Sequence, residues 1–397
     1  MLYKLSPDFI MAITYMKFSV NKSSLERAMS QIDAIVTGKD TQTLLSNVLL
    51  SVGDDQKLRI TASDMESTVR ITLDIEDSIP GELIMKAKKL SDIARQMKAE
   101  KMIFESEENS EENGNDGKLY RIKLEGVGAR SARFKMTGSD RSHFPEINEI
   151  ATEKLVSIPA QALTDMISRT FYSISHEDNR YIYNGICFHA EGRILTLIGT
   201  DGRRLAAVSR ELPSPIILGT GEGDIVVHAK AIRELQKIMD MDAMVYVGVE
   251  QRDIFFRVGN AELSSRLLEG KFPDYKKVIP NDSTIFVEID RELMLDSIRQ
   301  VMVMTEQPSF QVRLSMGKEG SFLTANTPDI GEAELTLPID SVIEQLDIGF
   351  NANYFMDILK AVQCGKIKLR FNDPARPIVF EDTEDDKFVA LVMPMKI

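Results

Sequence analysis

The side chains that could do chemistry are few, and their spacing suits none of the common reactions. Gly219-Thr-Gly221-Glu-Gly223-Asp is rich enough in glycine to suggest a phosphate cradle. A phosphate loop, however, ends in Gly-Lys-Ser/Thr and opens a helix, because the lysine and the helix N-terminus supply the positive charge. This stretch has no such ending and leads into the strand-like Ile225-Val-Val227, so it reads as a turn. The four histidines, His143, His176, His189 and His228, lack metal-ligand spacing of the His-Glu-x-x-His kind. Cys187 and Cys364 lie far apart without a Cys-x-x-Cys partner, which predicts free thiols in a reducing compartment. No Gly-x-Ser-x-Gly elbow occurs. Asp64 and Asp201 are the nearest thing to a carboxylate couple, and with them a metal-dependent hydrolase is the enzymatic alternative. They stand at equivalent places of an internal repeat, with Asn326 as the third-copy counterpart, which predicts turn formation instead. The expectation is no catalytic site, no metal and no cofactor.

The elements that must position any site come in three copies. A strand leading into an amphipathic helix occurs at Phe18-Ser-Val-Asn-Lys-Ser-Ser-Leu25, again at Val156-Ser-Ile-Pro-Ala-Gln-Ala-Leu163, and again at Phe286-Val-Glu-Ile-Asp-Arg-Glu-Leu293. A second strand and helix follow in the same order, with Ala87, Ala229 and Ala352 at matching positions. Period-two alternation, as in Leu58-Arg-Ile60-Thr and Ile122-Lys-Leu124, marks the remaining segments as strands. Similarity at a fixed period of about 130 residues predicts three tandem α+β domains. The reading assigns 1–15 to an N-terminal extension outside the fold, 16–148 to the first domain, 149–281 to the second and 282–397 to the third. Met1–Tyr15 lacks the basic start, long apolar core and small-residue cleavage site of a signal peptide. No stretch approaches the roughly 20 apolar residues that span a bilayer. Glu105–Asp116 carries six carboxylates and no base, which reads as an enlarged, solvated hairpin loop over 105–118.

A net charge of −13 argues against gripping nucleic acid by simple phosphate neutralisation. The second helix of each repeat shows how the charge is divided. At about 100° per residue, Leu90, Ile93, Ala94 and Met97 fall on one side and Lys88, Ser91, Arg95 and Lys98 on the other. In the second copy Ile232, Leu235 and Met239 oppose Lys230, Arg233 and Lys237. In the third, Phe355, Ile358 and Val362 oppose Asn353, Met356 and Lys360, a weaker basic face. A basic lining within an acidic protein suits loose contact with phosphates while repelling DNA from the exterior.

Several further stretches occur in family-like order: Met16-Lys-Phe-Ser-Val20, Asn179-Arg180-Tyr181-Ile-Tyr-Asn184-Gly185, Thr200-Asp201-Gly202-Arg203-Arg204-Leu205-Ala206, Gly270-Lys-Phe272-Pro273-Asp274-Tyr275 and Val392-Met393-Pro394-Met395-Lys396-Ile397. Over 16–397 the chain resembles the beta subunit of bacterial DNA polymerase III, the sliding-clamp family. The resemblance implies a head-to-tail homodimer closed into a ring, with helices lining a hole and antiparallel sheets outside. It also implies a cytoplasmic processivity factor without catalysis of its own, which encircles duplex DNA irrespective of sequence. Lys39, Lys88, Arg95, Lys230 and Lys237 would face the DNA; Lys39 stands where arginine is common, keeping the charge but losing the bidentate fork. Val303 and Met304 would lie at the subunit contact. A peptide groove would take segments of the clamp loader, the replicative polymerase and other replication and repair proteins. Its residues would be Arg180, Tyr183, Thr200, Gly202, Arg203, Arg204, Leu205, Pro273, Val278, Asn351, Tyr354, Leu391, Met393, Pro394 and Met395. Arg203 replaces a usual histidine and Tyr183 a usual aliphatic residue, which alters the groove wall. The other non-catalytic reading is a protein scaffold that holds the same peptides without any topological hold on DNA.

Overall fold

The computed structural model describes residues 14–36, 44–108, 118–128, 132–147, 155–216, 218, 224–339 and 345–397. Lys39, the stretch Gly219–Gly223 and residues 109–117 of the acidic segment therefore lie outside the described residues. Contacts divide the chain into two compact units. One comprises Met1–Glu153, Arg233–Tyr246 and Asp253–Arg266; the other comprises Lys154–Ile232, Val247–Arg252 and Leu267–Ile397.

The three repeats each supply two helices: α1 (Lys22–Val36) and α2 (Ala87–Gln96), α3 (Ala160–Thr170) and α4 (Ala229–Ile238), α5 (Arg291–Val301) and α6 (Ala352–Ala361). The strands between them are antiparallel and alternate buried with half-buried residues, as in Ser67–Asp74 and Gln311–Gly317. No helix among the described residues is long and apolar enough to cross a membrane.

In the first unit, the strand that the sequence pattern starts at Met16 begins at Thr14. Tyr15 belongs to it: its ring stacks on Tyr120 and its hydroxyl donates to the Glu82 carbonyl. That strand pairs with Lys101–Glu108 on one side and Glu76–Ile79 on the other. Ser67–Asp74 joins Lys57–Ser63 on one edge and Ala261–Arg266 on the other, a seam between the first and second repeats. Leu25, Met29 and Ile32 of α1 and Leu90 and Ala94 of α2 are buried in this unit.

In the second unit an eight-stranded sheet runs Ile225–His228, Gly185–Glu191, Ile194–Thr200, Arg204–Glu211, Phe388–Val392, Ile378–Asp382, Lys366–Phe371 and Ile285–Asp290. The pairing of Arg204–Glu211 with Phe388–Val392 is a second seam, between the second and third repeats. A four-stranded sheet carries Gly331–Leu337 at its edge. Strand register also moves one repeat equivalence. Ala325 faces Ala333 as Ala62 faces Val69 and Gly199 faces Ala206. The counterpart of Asp64 and Asp201 is therefore Thr327, one place beyond the Asn326 that the sequence pattern selects.

A buried ion network ties the second seam together. Arg169 of α3 donates to Asp382 at 2.8 Å and to Asp165 at 2.9 Å, and Arg210 bridges Asp165 and Asp385 at 2.6 Å each. Burial pushes the Asp382 carboxyl up, but the Arg169 guanidinium and the Glu384 amide outweigh it and hold the group below the usual carboxylate range. Removing one partner strands a buried charge, so Arg169→Met should cost about 3–5 kcal/mol in denaturant unfolding. A depressed carboxylate stabilises the fold above its unfolded pKa and loses that contribution as pH falls through the folded value. The acid-unfolding midpoint of Arg169→Met should therefore lie higher than that of the unaltered protein; coincident acid midpoints would refute this role.

Candidate partner groove and basic helix faces

The groove residues converge in the second unit, where the second seam ends. Asp201 organises the turn before Arg204–Glu211: its Oδ1 accepts from the amides of Arg203 and Arg204 at 2.8 and 2.9 Å. Thr200 donates to the Arg204 carbonyl and accepts from the Gly202 amide, and Gly202 takes the positive φ that this turn needs. Asp64 does the same in the first repeat, accepting from the amides of Glu66 and Ser67. Both aspartates are turn residues, and among the described residues no group of three metal-ligating side chains exists.

The C-terminal segment is pinned beside this turn. Met393 donates to the Arg203 carbonyl at 2.8 Å and Met395 to the Gly349 carbonyl at 2.7 Å. A Cβ on Gly349 would lie 2.9 Å from the Met395 carbonyl oxygen, so the approach requires glycine there. Below the two segments is an apolar cluster of Cys187, Ile198, Leu205, Phe272, Tyr275 and Leu391, with Ile182 and Tyr183 packed on it. Tyr183 meets Phe272 edge-on at 6.2 Å.

Of the expected groove residues, Tyr183, Leu205 and Leu391 share this apolar cluster and Met393 is tied to Arg203, and the set divides by exposure. Leu205 and Leu391 are core residues that form a floor. Pro273, Pro394, Met395, Tyr183 and Tyr354 are half-buried, and Met393, Val278 and Arg203 are exposed. The side chain of Arg180 lies outside the described residues. Two polar residues are consumed internally. Asn351 accepts from the Asn353 amide, capping α6, and donates to the Ser309 carbonyl. Arg204 donates to Asp201 at 3.1 Å and Asp357 at 2.6 Å, and its guanidinium lies 4.5 Å from the Tyr354 ring centroid and 5.7 Å from that of Tyr172. Arg203 reaches the Tyr354 hydroxyl, a contact that, with the nearby Glu177 and Asp201, raises its pKa further.

Sequence reasoning missed Tyr172 and Asp357 as braces of the groove. Asp357 had a signal: the equivalent helix positions in the other repeats are Asp92 and Glu234, acidic in every copy. Cys187 and Cys364 are buried free thiols.

The helix faces agree with the charge pattern except at two places. Lys88 and Arg95 of α2 are exposed, Arg95 lying 3.6 Å from Asp33 of α1. Lys230 is half-buried, while Lys237 is exposed and lies 3.2 Å from Glu234. Ser91, expected on the basic face, is buried and 3.3 Å from Asp33, because α2 packs against α1. Met356 is likewise buried, because α6 packs against α5 and α3. Val303 is 73 % exposed and the neighbouring Met304 half-buried.

Three family models cover almost the whole chain. They describe the N-terminal, central and C-terminal domains of the DNA polymerase III beta subunit, and match residues 16–148, 157–274 and 276–396. The beta sliding clamp of Escherichia coli K12 is 28% identical over 389 residues, covering 96% of this chain and 100% of the relative. A crystal structure of a DnaN sliding clamp from Pseudomonas aeruginosa bound to griselimycin superposes with a TM-score of 0.86 at 26% identity. A sliding clamp from Caulobacter crescentus does so at 0.86 and 25%. Each alignment covers 96% of this chain and 100% of the other.

Arg204 is a brace here, so Arg204→Met should lower stability by about 2–3 kcal/mol, measured by urea unfolding, because it leaves two carboxylates without their cation. Arg204→Lys should recover less than half of the loss, since an ammonium cannot make the forked contacts. Full recovery by lysine would contradict the brace.

Proposed function

The chain belongs to the DNA polymerase III beta subunit family, and on that premise we propose that it acts as a DNA sliding clamp, closing with a second copy into a head-to-tail ring around duplex DNA. It is a processivity subunit and performs no catalysis of its own. The observation that carries the closed ring is the pair of seams. Repeats one and two join through Ser67–Asp74 and Ala261–Arg266, and repeats two and three through Arg204–Glu211 and Phe388–Val392. The counterpart strands left over, Gly331–Leu337 and Arg133–Ser139, keep largely open edges. A second copy satisfies both. The exposed Val303, close to one of those edges through Met304 and Thr327, suits a subunit contact.

Lys88, Arg95, Lys230 and Lys237 make the DNA-facing set, together with Lys39. Single cations partly offset by neighbours such as Asp33 and Glu234 hold phosphates weakly. Weak, sequence-blind contact lets the ring slide, because no base-edge contact breaks at each step. The groove takes an extended peptide: its apolar floor receives the anchors, and Arg203 with the backbone of Met393–Met395 supplies the polar contacts. The clamp loader, the replicative polymerase and other replication and repair proteins are the partners, in the cytoplasm where the DNA is.

Retention on DNA after loading tests the reading. With a clamp loader and ATP, the protein should stay on a nicked circle and escape once the circle is linearised; equal retention would leave only the scaffold reading. Lys88→Glu/Arg95→Glu/Lys237→Glu should load poorly yet bind peptide normally. Deleting Met393–Ile397 should abolish peptide binding in fluorescence polarisation and leave the dimer intact in light scattering. Unchanged peptide affinity would remove the groove from this position.

A further inference from the structure

Resting on the groove reading above, we propose that Arg203 and the Tyr354 hydroxyl together receive one carboxylate of the docked peptide, which makes this groove selective for acidic segments. The carboxylate belongs to an Asp or Glu side chain or to the peptide's own C-terminus; the recognising chemistry is the same for both.

Charge is distributed unevenly around the groove. The chain carries −13, yet the residues assigned to the groove include Arg180, Arg203 and Arg204 and no carboxylate. Arg204 is already engaged, by Asp201 at 3.1 Å and Asp357 at 2.6 Å. Arg203 differs: it is exposed, and its hydrogen-bond partner is the neutral Tyr354 hydroxyl. Glu177 and Asp201 act on it through longer-range attraction, without an ion pair among the described residues. Asp201 is held elsewhere, its Oδ1 by the Arg203 and Arg204 amides and its Oδ2 by the Arg204 side chain. Lys271, next to Phe272 of the apolar cluster, and Lys396, next to Met395, are also exposed and form no ion pair among the described residues. An anionic segment therefore approaches a locally positive rim on an acidic protein.

The donors converge because the backbone beneath them is fixed. The Arg203 amide donates to Asp201 at 2.8 Å, and the Arg203 carbonyl accepts from Met393 at 2.8 Å. From this anchored residue the side chain reaches the Tyr354 hydroxyl. A guanidinium can only donate, so the phenol oxygen accepts, and the hydroxyl's own proton remains for another partner. Tyr354 is held in turn by Arg204, whose guanidinium lies 4.5 Å from its ring centroid. A carboxylate at this place accepts from the guanidinium and the hydroxyl together, a charge-assisted arrangement that a neutral amide cannot match. A histidine in the place of Arg203 would carry charge only below about pH 6.5, whereas arginine is charged at every working pH.

Fluorescence polarisation tests this with hexapeptides that carry two apolar anchors. Asp or its neutral isostere Asn stands in turn at each non-anchor place, and the C-terminus is free or amidated. One placement of Asp, or the free C-terminus, should bind about 10-fold tighter than its neutral twin. A gain confined to one Asp placement assigns a side-chain carboxylate; a gain confined to the free terminus assigns the peptide end. Arg203→Gln should erase the gain, and Tyr354→Phe should reduce it to about 3-fold. Arg203→His should keep it at about pH 5.5 and lose it at about pH 8.5, while the unaltered protein keeps it at both. Twins of equal affinity at every place, or a gain that survives in Arg203→Gln, would overturn the proposal. Failure of every peptide to bind the unaltered protein, the neutral ones included, would remove the groove reading itself and this proposal with it.

Discussion

An antiparallel strand with an open edge presents a row of unsatisfied amides and carbonyls, and the whole chain is arranged around closing such edges. Each half-repeat ends in a strand whose hairpin partner covers one side only. Ser67–Asp74 and Arg204–Glu211 find their second partner in the following repeat, through Ala261–Arg266 and Phe388–Val392. Core-facing residues on both strands of a seam are small or aliphatic, Val69 with Leu263 and Ala206 with Ala390, so sheet and core continue together across the boundary. Helices then share the core side of the joined sheet; at the second seam α3 and α6 touch. Each seam joins neighbouring repeats by strand pairing within its own unit.

The proposed peptide groove is a by-product of the second seam. Its floor residues Leu205 and Leu391 lie directly opposite one another on the two seam strands. Its walls are what the chain does on leaving them: the Asp201 turn at one end, the Met393–Met395 segment pinned to Arg203 and Gly349 at the other. Most polar side chains there are spent on holding these walls, Asn351 on the α6 cap and Arg204 on two carboxylates. A ligand accordingly meets apolar surface, exposed backbone and the Arg203 guanidinium, which suits an extended peptide better than a small polar molecule.

The threefold repeat, the helix positions and the aspartate turns were legible because local patterning decides them: period two for strands, 3.6 for helices, Asx chemistry for turns. The residues proposed for the groove came from the family resemblance. What a helical wheel could not show is a second contact. Ser91 and Met356 sit opposite the main apolar stripe and are nonetheless buried, because a neighbouring helix covers that flank. Asn326 was matched by composition, whereas hairpin register selects Thr327. Roles also escaped: Arg204 looks like a ligand-binding cation in sequence, and only its distances to Asp201 and Asp357 reveal a brace.

Charge does two different jobs in this acidic chain, and their strengths differ for a reason. On the helices, cations stand near carboxylates of their own fold, Arg95 by Asp33 and Lys237 by Glu234, so a phosphate meets a field already reduced. Affinity that stays low at every position is what movement along a duplex requires. At the proposed groove the Arg203 guanidinium has no ion pair among the described residues, and the Asp201 turn fixes the backbone from which it projects. A groove must discriminate between peptides, and uncompensated charge discriminates best. The same net acidity is therefore compatible with a loose grip on DNA and a selective grip on a peptide, because each depends on where carboxylates stand relative to the nearest cation, not on the sum of −13.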